Sequence, residues 1–326
     1  MARPIRHVPR DSTRRRVWVY LAVAVFLLAD IALIVFALNP AGPAATAEAP
    51  RPASTVATPS AAAPTATPEP TAASAAVSIV AVPPTRFLAA VDAATAWRLV
   101  TGECPAIPAE PELTTDSGAT WSPTDATGPT EVTAPQSLTA TSESVMGFVG
   151  LSESDCAPEF VQTFVGGDNF KSYPDQLASA WFVDPGDRAS VHSPVGDVAA
   201  PCDSVIALAP RDAESAAVLC ADQTVFVTTD AAETWSSGIP VRGAINLTVA
   251  GTGYASAAVG LPECDGVQMI ALAEEPLEVT RSGCLQLETP VAALPGNVAL
   301  SEVDGTIWLW AGDVTKRSFD GGMAWQ

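Results

Sequence analysis

The sequence predicts an all-β domain preceded by one membrane-crossing helix and a disordered linker. Three observations lead there: a long apolar run near the N-terminus, a Pro/Ala/Thr-rich stretch after it, and, from Val77 onward, short alternating apolar runs broken by Gly, Pro, Asp and Asn. With several segments plainly not globular, 326 residues favour one large domain over two.

The formal charge of −20 is unevenly placed. Arg3, Arg6, Arg10, Arg14, Arg15 and Arg16 sit together in residues 1–16 against a single acid, Asp11, and nearly everything after them is acidic. A surface of that sign repels phosphate backbones, which excludes nucleic acid as a partner of the main domain.

Residues 17–38, VWVYLAVAVFLLADIALIVFAL, would form a helix about 33 Å long at ~1.5 Å per residue, enough to span a bilayer core. The arginines before it, with no Lys or Arg after it until Arg51, put the N-terminus in the cytoplasm and the bulk of the chain outside. This predicts an integral, single-pass protein of the cell membrane. A cleaved signal peptide, cut near Ala45-Thr46-Ala47, is the competing reading. Asp30 lies inside the span, either protonated and tolerated or paired with a partner helix. Residues 39–76 collapse to Ala, Pro, Thr and Ser with no aromatic to seed a core, so they read as an extended, disordered linker.

Residues 77–326 carry a repeat. FLAAVDAATAWRLVTGEC, LTATSESVMGFVGLSESDC, VIALAPRDAESAAVLCADQ, LTVAGTGYASAAVGLPEC and VALSEVDGTIWLWAGD share one plan of strand, polar turn and second apolar strand. In the first copy the plan continues to Thr114-Thr115-Asp116-Ser117-Gly118-Ala119-Thr120-Trp121. Two further strings match it: Thr228 to Trp235 through Asp230, with Ala232 in place of glycine, and Ser318 to Trp325 through Asp320 and Gly322, with Ala324 in place of threonine. A worn copy is expected through Asp168, with Ser172 and Tyr173 at its end. In such a turn an Asp carboxylate accepts backbone N–H groups, Gly supplies a positive φ, and Trp packs as an anchor.

These strings resemble the Asp-box, or bacterial-neuraminidase repeat, Ser/Thr-x-Asp-x-Gly-x-Thr-Trp, which marks β-propeller blades in sialidases, sortilin-type receptors and photosystem II assembly factors. The resemblance implies a β-propeller in which Asp116, Gly118, Trp121, Asp168, Asp230, Trp235, Asp320, Gly322 and Trp325 are structural. Spacings of 52, 62 and 90 residues between the four aspartates leave room for one blade without the motif at residues 244–287. That makes about five blades, or six or seven if short ones are hidden. The chain stops just after Trp325, so the run Val77 to Val82 is expected to pair with the last blade and close the ring.

Cys104, Cys156, Cys202, Cys220, Cys264 and Cys284 all follow the apolar run, which suggests three disulfides outside the cytoplasm. Fifteen pairings are formally open. The repeat hints at Cys202 with Cys220 and Cys264 with Cys284, leaving Cys104 with Cys156. No CxxC pair occurs, so no metal and no cofactor is expected.

No catalytic residue is expected either. Sialidases grip a carboxylate with three arginines and carry a Phe/Tyr-Arg-Ile-Pro string, whereas the nearest string here is Pro84-Thr85-Arg86-Phe87. Tyr173 and Tyr254 are the only tyrosines available as nucleophiles in the domain. A divergent glycosidase would need Arg98, Arg188 and Arg242 gathered at one mouth of the ring. Acid pairs such as Glu153 with Asp155 or Asp212 with Glu214 read as solvated turn residues. The expectation is therefore a non-catalytic binding or scaffold protein for an envelope protein or glycan, with a sialidase-like hydrolase or an assembly factor for a membrane complex as alternatives.

Overall fold

The computed structural model describes residues 79–326 apart from 275 and 276. The tail 1–16, the predicted span 17–38 and the linker 39–76 lie outside the described residues. Among the described residues no helix is long and apolar enough to cross a membrane.

The architecture is an all-β propeller of five blades, each an antiparallel meander in sequence order. Blade 1 is β1 (Arg86–Ala90), β2 (Ala96–Val100), β3 (Glu112–Thr114) and β4 (Ser122–Pro123). Blade 2 has its inner strand split into β5 (Val132–Thr133) and β6 (Thr139–Ala140), both paired with β7 (Met146–Ser152), followed by β8 (Pro158–Thr163) and β9 (Lys171–Ser172). Between blades 2 and 3 a hairpin, β10 (Ser190–Ser193) and β11 (Gly196–Ala199), takes a single bridge from Phe182 to His192 and fills a narrow wedge. Blade 3 is β12 (Val205–Pro210), β13 (Ala216–Cys220), β14 (Thr224–Thr228) and β15 (Ile239–Pro240). Blade 4 is β16 (Ala244–Ala250), β17 (Gly253–Ala258), β18 (Gly266–Glu274) and β19 (Leu277–Gln286). Blade 5 is β20 (Val298–Val303), β21 (Thr306–Ala311) and β22 (Val314–Ser318).

Second strands such as β13 and β21 are buried along their whole length, because each is covered by neighbouring blades on both faces. The core is accordingly divided into clusters between blades. Tyr254, Ile270 and Leu272 pack with Leu219 and Val225 between blades 3 and 4, and Trp97, Phe148 and Phe170 pack between blades 1 and 2. Tryptophan indoles staple successive units together. Trp97 Nε1 donates to the Ser142 carbonyl (3.4 Å), Trp181 Nε1 to that of Asp212 (2.9 Å) and Trp308 Nε1 to that of Asp92 (3.0 Å). In each case the acceptor belongs to the hairpin joining the first two strands of the next blade.

Ring closure differs from the expectation for Val77 to Val82. Residues 79–82 carry no strand. They cross the face on which the inner strands begin: the Ile79 carbonyl accepts from Gln223 Nε2 in blade 3 (2.9 Å), and Thr85 N donates to the Gly296 carbonyl ahead of blade 5 (2.8 Å). The last blade needs little help, because the outer strands of blades 1, 2 and 3 are only two residues long. In blade 1 Ser122, the residue after Trp121, pairs with Leu113; in blade 5 Gln326, the residue after Trp325, exchanges both backbone bonds with Arg317. Blade 5 instead meets blade 1 face to face. The Arg98 guanidinium lies between the rings of Trp121 (4.1 Å) and Trp310 (4.7 Å), Arg86 stacks on Trp310 (4.4 Å), and Arg98 Nε donates to Glu112 Oε2 (2.5 Å).

Three disulfides form: Cys104–Cys156 ties blade 1 to blade 2, Cys202–Cys220 pins the approach to blade 3, and Cys264–Cys284 lies within blade 4.

Candidate functional site: the ring channel and its rim

Small inner-strand residues, among them Ala89, Ala90, Ala140, Ala207, Ala209 and Ala299, let the strands converge without filling the axis. What remains is a cavity of about 770 Å³. Its ends differ in charge chemistry.

At the end where the inner strands finish, the ionised groups are internally engaged. The Asp212 carboxylate accepts the Glu214 and Ser215 N–H groups (2.8 and 2.7 Å), which lowers its pKa. Glu302 accepts from Gly251 N and Gly305 N, and Arg211 Nη2 donates to the Gly253 carbonyl (2.7 Å) while stacking on Tyr254.

At the end where the inner strands begin, two half-buried arginines line the cavity beside Pro83, Pro84 and Glu103. Arg86 Nη1 donates to the Gly312 carbonyl, and Arg188 Nη1 to that of Val205 (3.1 Å). Neither has a carboxylate within ion-pair distance among the described residues. Burial pushes both guanidiniums below their ordinary pKa, with Asp313 opposing the shift at Arg86 and Asp184 at Arg188. A guanidinium offers five N–H donors, so each retains donors for a further acceptor.

The residues expected to be structural lie on the rim, outside the cavity. In the Asp116 turn, Thr114 Oγ1 donates to Asp116 Oδ1 (2.8 Å) and accepts from Gly118 N (2.9 Å). Asp116 in turn accepts from Thr120 N (2.9 Å) and Thr120 Oγ1 (2.6 Å). The Asp230 turn repeats these bonds with Thr228 and Thr234, and Ala232 N replaces Gly118 N. The Asp320 turn repeats them with Ser318, Gly322 N and Ala324 N, but without a hydroxyl at Ala324. In each turn two consecutive residues take a positive φ: Ser117 and Gly118, Ala231 and Ala232, Gly321 and Gly322.

Asp168 is corrected. The blade 2 turn runs from Thr163 to Phe170: Thr163 Oγ1 accepts from Val165 N (3.2 Å) and Gly167 N (3.1 Å), and Gly166 and Gly167 take the positive φ values. Val165 therefore stands where the other turns have aspartate, and buried Phe170 stands where they have tryptophan. Asp168 is an exposed residue inside the turn, and Tyr173 lies beyond it, edge-on to Phe164 (5.9 Å).

Of the arginines a glycosidase would need, Arg188 lines the cavity, Arg98 is held between Trp121 and Trp310 at the blade 1–5 seam, and Arg242 is exposed. They do not gather. Arg86 was not singled out from the sequence, and its one local signal was its place at the start of the first inner strand.

No family model matches the chain, and no curated protein matches it by sequence. Similar shapes occur among solved structures. YCF48 bound to D1 peptide aligns over 76% of this chain and 82% of its own, at 14% identity and a TM-score of 0.27. YCF48 from Cyanidioschyzon merolae aligns over 76% and 86%, at 12% identity and 0.39. The Aleuria aurantia lectin in complex with Fucalpha1-6GlcNAc aligns over 74% and 94%, at 8% identity and 0.46. At these identities and scores the likeness bears on neither ligand nor activity.

Proposed function

We propose that this chain is a non-catalytic binding or scaffold protein, anchored by residues 17–38 with its propeller outside the cytoplasm. Its partner would be an envelope protein or glycan that presents an anionic group to the mouth of the channel. The observation that carries this reading is the pair Arg86 and Arg188, two partly desolvated guanidiniums at one end of a cavity in a protein of net charge −20, neither in an ion pair among the described residues. Backbone carbonyls and the Trp310 ring only partly replace the water lost by these guanidiniums, and a carboxylate ligand would offset the remaining cost with charge-assisted, often bidentate bonds. The three disulfides support an oxidising compartment. The Asp-box resemblance fits turns that act as scaffold.

The test is a binding screen of full-length protein against uronate oligosaccharides and peptides with free or amidated C-termini, repeated with Arg86→Gln and Arg188→Gln. The expected result is saturable binding of a carboxylate-bearing probe that each substitution weakens about tenfold or more. Binding indifferent to both substitutions would overturn the reading, and cleavage of a bound glycan would replace it with the hydrolase alternative.

A further inference from the structure

The blades terminate in two ways. In blades 1, 2 and 3 the outer strand is two residues long and a proline lies in it or within two residues of its end: Pro123 ends β4, Pro174 comes two residues after β9, and Pro240 ends β15. Proline cannot donate to a ladder, and a two-residue edge offers little to pair with, so these rims are closed to strand addition. Blade 4 lacks the short outer strand, and the proline nearest that strand, Pro276, precedes it instead of lying in it or within two residues of its end. Its outer strand β19 is ten residues long, contains no proline, and pairs with β18 from Gly266↔Gln286 to Glu274↔Leu277 with one register shift. The sheet order leaves the far side of β19 without a partner strand among the described residues.

One end of that edge is occupied. Gly283 N donates to the Gly321 carbonyl (3.3 Å), and a Cβ at Gly283 would collide with the backbone at Gly322, so the blade 5 turn lies directly against β19 there. The open stretch is Leu277 to Ser282. On one face Leu277 and Val279 are half-buried against the blade 3–4 core. At its Gly283 end stands the blade 5 turn, with Phe319 and Met323 50% and 72% exposed. The charges on and beside the stretch are Glu278, Arg281 paired with Glu263 (3.2 Å), Asp320, and Arg317 over the Phe319 ring (5.5 Å), still a negative balance.

We propose that the Leu277–Ser282 edge of β19 accepts an extended segment of a partner protein by strand addition, the segment being neutral to basic with apolar residues at alternate positions. Alternate residues of an antiparallel strand direct both N–H and C=O outward, and Leu277 to Arg281 pair regularly with β18 before the register shift at Ser282, so this stretch offers about four to six backbone hydrogen bonds. The alternating apolar side chains of the guest would meet Leu277 and Val279 on one face, and its length would carry it towards Met323. The local acidity selects against acidic guests, and the net charge of −20 disfavours a second copy of this chain. This site is separate from the channel, and failure here would leave the arginine pair untouched.

The test uses full-length protein, hydrogen exchange and the octapeptide KTVTVTVK as probe. The outward-facing amides of 277–282 should slow about tenfold or more, saturably, while channel residues do not change. The same peptide N-methylated at alternate nitrogens should give no protection, and ETVTVTVE should bind more weakly by about tenfold. The proposal is overturned if KTVTVTVK protects nothing at 277–282, if the N-methylated peptide protects equally, or if these amides are already protected without peptide in a way that depends on protein concentration, which would assign the edge to a second copy.

Discussion

Blades 1 and 2 turn the same corner with different chemistry. Both use a threonine hydroxyl to collect two backbone N–H groups, Thr114 and Thr163, and both place two successive residues at positive φ. Blade 1 adds Asp116, which gathers Thr114 and Thr120, whereas blade 2 has Val165, half exposed, in that place. Blade 1 ends in Trp121, half-buried and capped by Arg98; blade 2 ends in Phe170, fully inside the core. The difference teaches that the hydroxyl and the left-handed pair define the turn. The carboxylate reinforces it, and the aromatic is chosen by how deep the blade's rim sits.

Removing the shared element should produce the largest effect. Thr114→Val and Thr163→Val each orphan two N–H donors in a buried or half-buried turn, which should cost about 2 kcal/mol in either blade. Urea denaturation of the two variants checks this. A Thr163→Val variant as stable as the parent would mean the blade 2 turn is held by Phe170 alone and would undo the comparison.

The left-handed pair comes next. A Cβ at Gly167 (φ 91°) would lie 2.5 Å from Thr124 Cγ2, whereas at Gly118 (φ 84°) it would lie 3.3 Å from the Trp308 ring. Gly167→Ala should therefore destabilise by about 2 kcal/mol and Gly118→Ala by about 1 kcal/mol. Blade 3 supplies the counterpart: Ala232 already sits at φ 72° with its methyl in the core, so Ala232→Gly should be close to neutral, relief of strain offsetting a lost methyl worth about 0.8 kcal/mol. Thermal melts of the three variants rank them. Equal losses at Gly118 and Gly167 would remove the steric part of the argument.

The same contrast explains what could be read from the sequence. Asp116, Asp230 and Asp320 with their tryptophans were legible because that turn is built from side chains within eight residues. The blade 2 turn was misplaced because a search led by aspartate settles on Asp168, three residues after Val165, while the shared hydroxyl and the Gly166-Gly167 pair carry no distinctive letter. The repeat only hinted at Cys202–Cys220 and Cys264–Cys284, which are local, and left the other pairings open; the structure forms these two and Cys104–Cys156. The closing strand expected from Val77 to Val82 is absent over residues 79–82 for a simple reason. The outer strands of blades 1 to 3 are two residues long, a length no propensity argument predicts, and in blade 5 Gln326 already begins what Val77 to Val82 was asked to provide. Arg86 and Arg188 were invisible as a pair because their lining of one cavity depends on closing a ring, and nothing near either residue in sequence encodes the other.

The smallest predicted effect isolates the carboxylate itself. Asp116 is held at about 2, against 3.8 unperturbed, first by the Thr120 hydroxyl, then by the Thr120 N–H and the Thr114 hydroxyl. A depressed folded pKa stabilises above the unfolded value, and that contribution is lost as pH falls from about 4 through about 2. Blade 2, with Val165, contributes nothing of this kind. Asp320 is lowered too, chiefly by the Ala324 N–H, but no hydroxyl assists at Ala324. Denaturation midpoints measured at pH 5 and pH 2.5 should therefore fall less in Asp116→Asn than in the parent, and the rescue should be smaller in Asp320→Asn. If Asp116→Asn loses as much as the parent over that interval, the carboxylate is a spectator and the turns of blades 1 and 2 are energetically the same object.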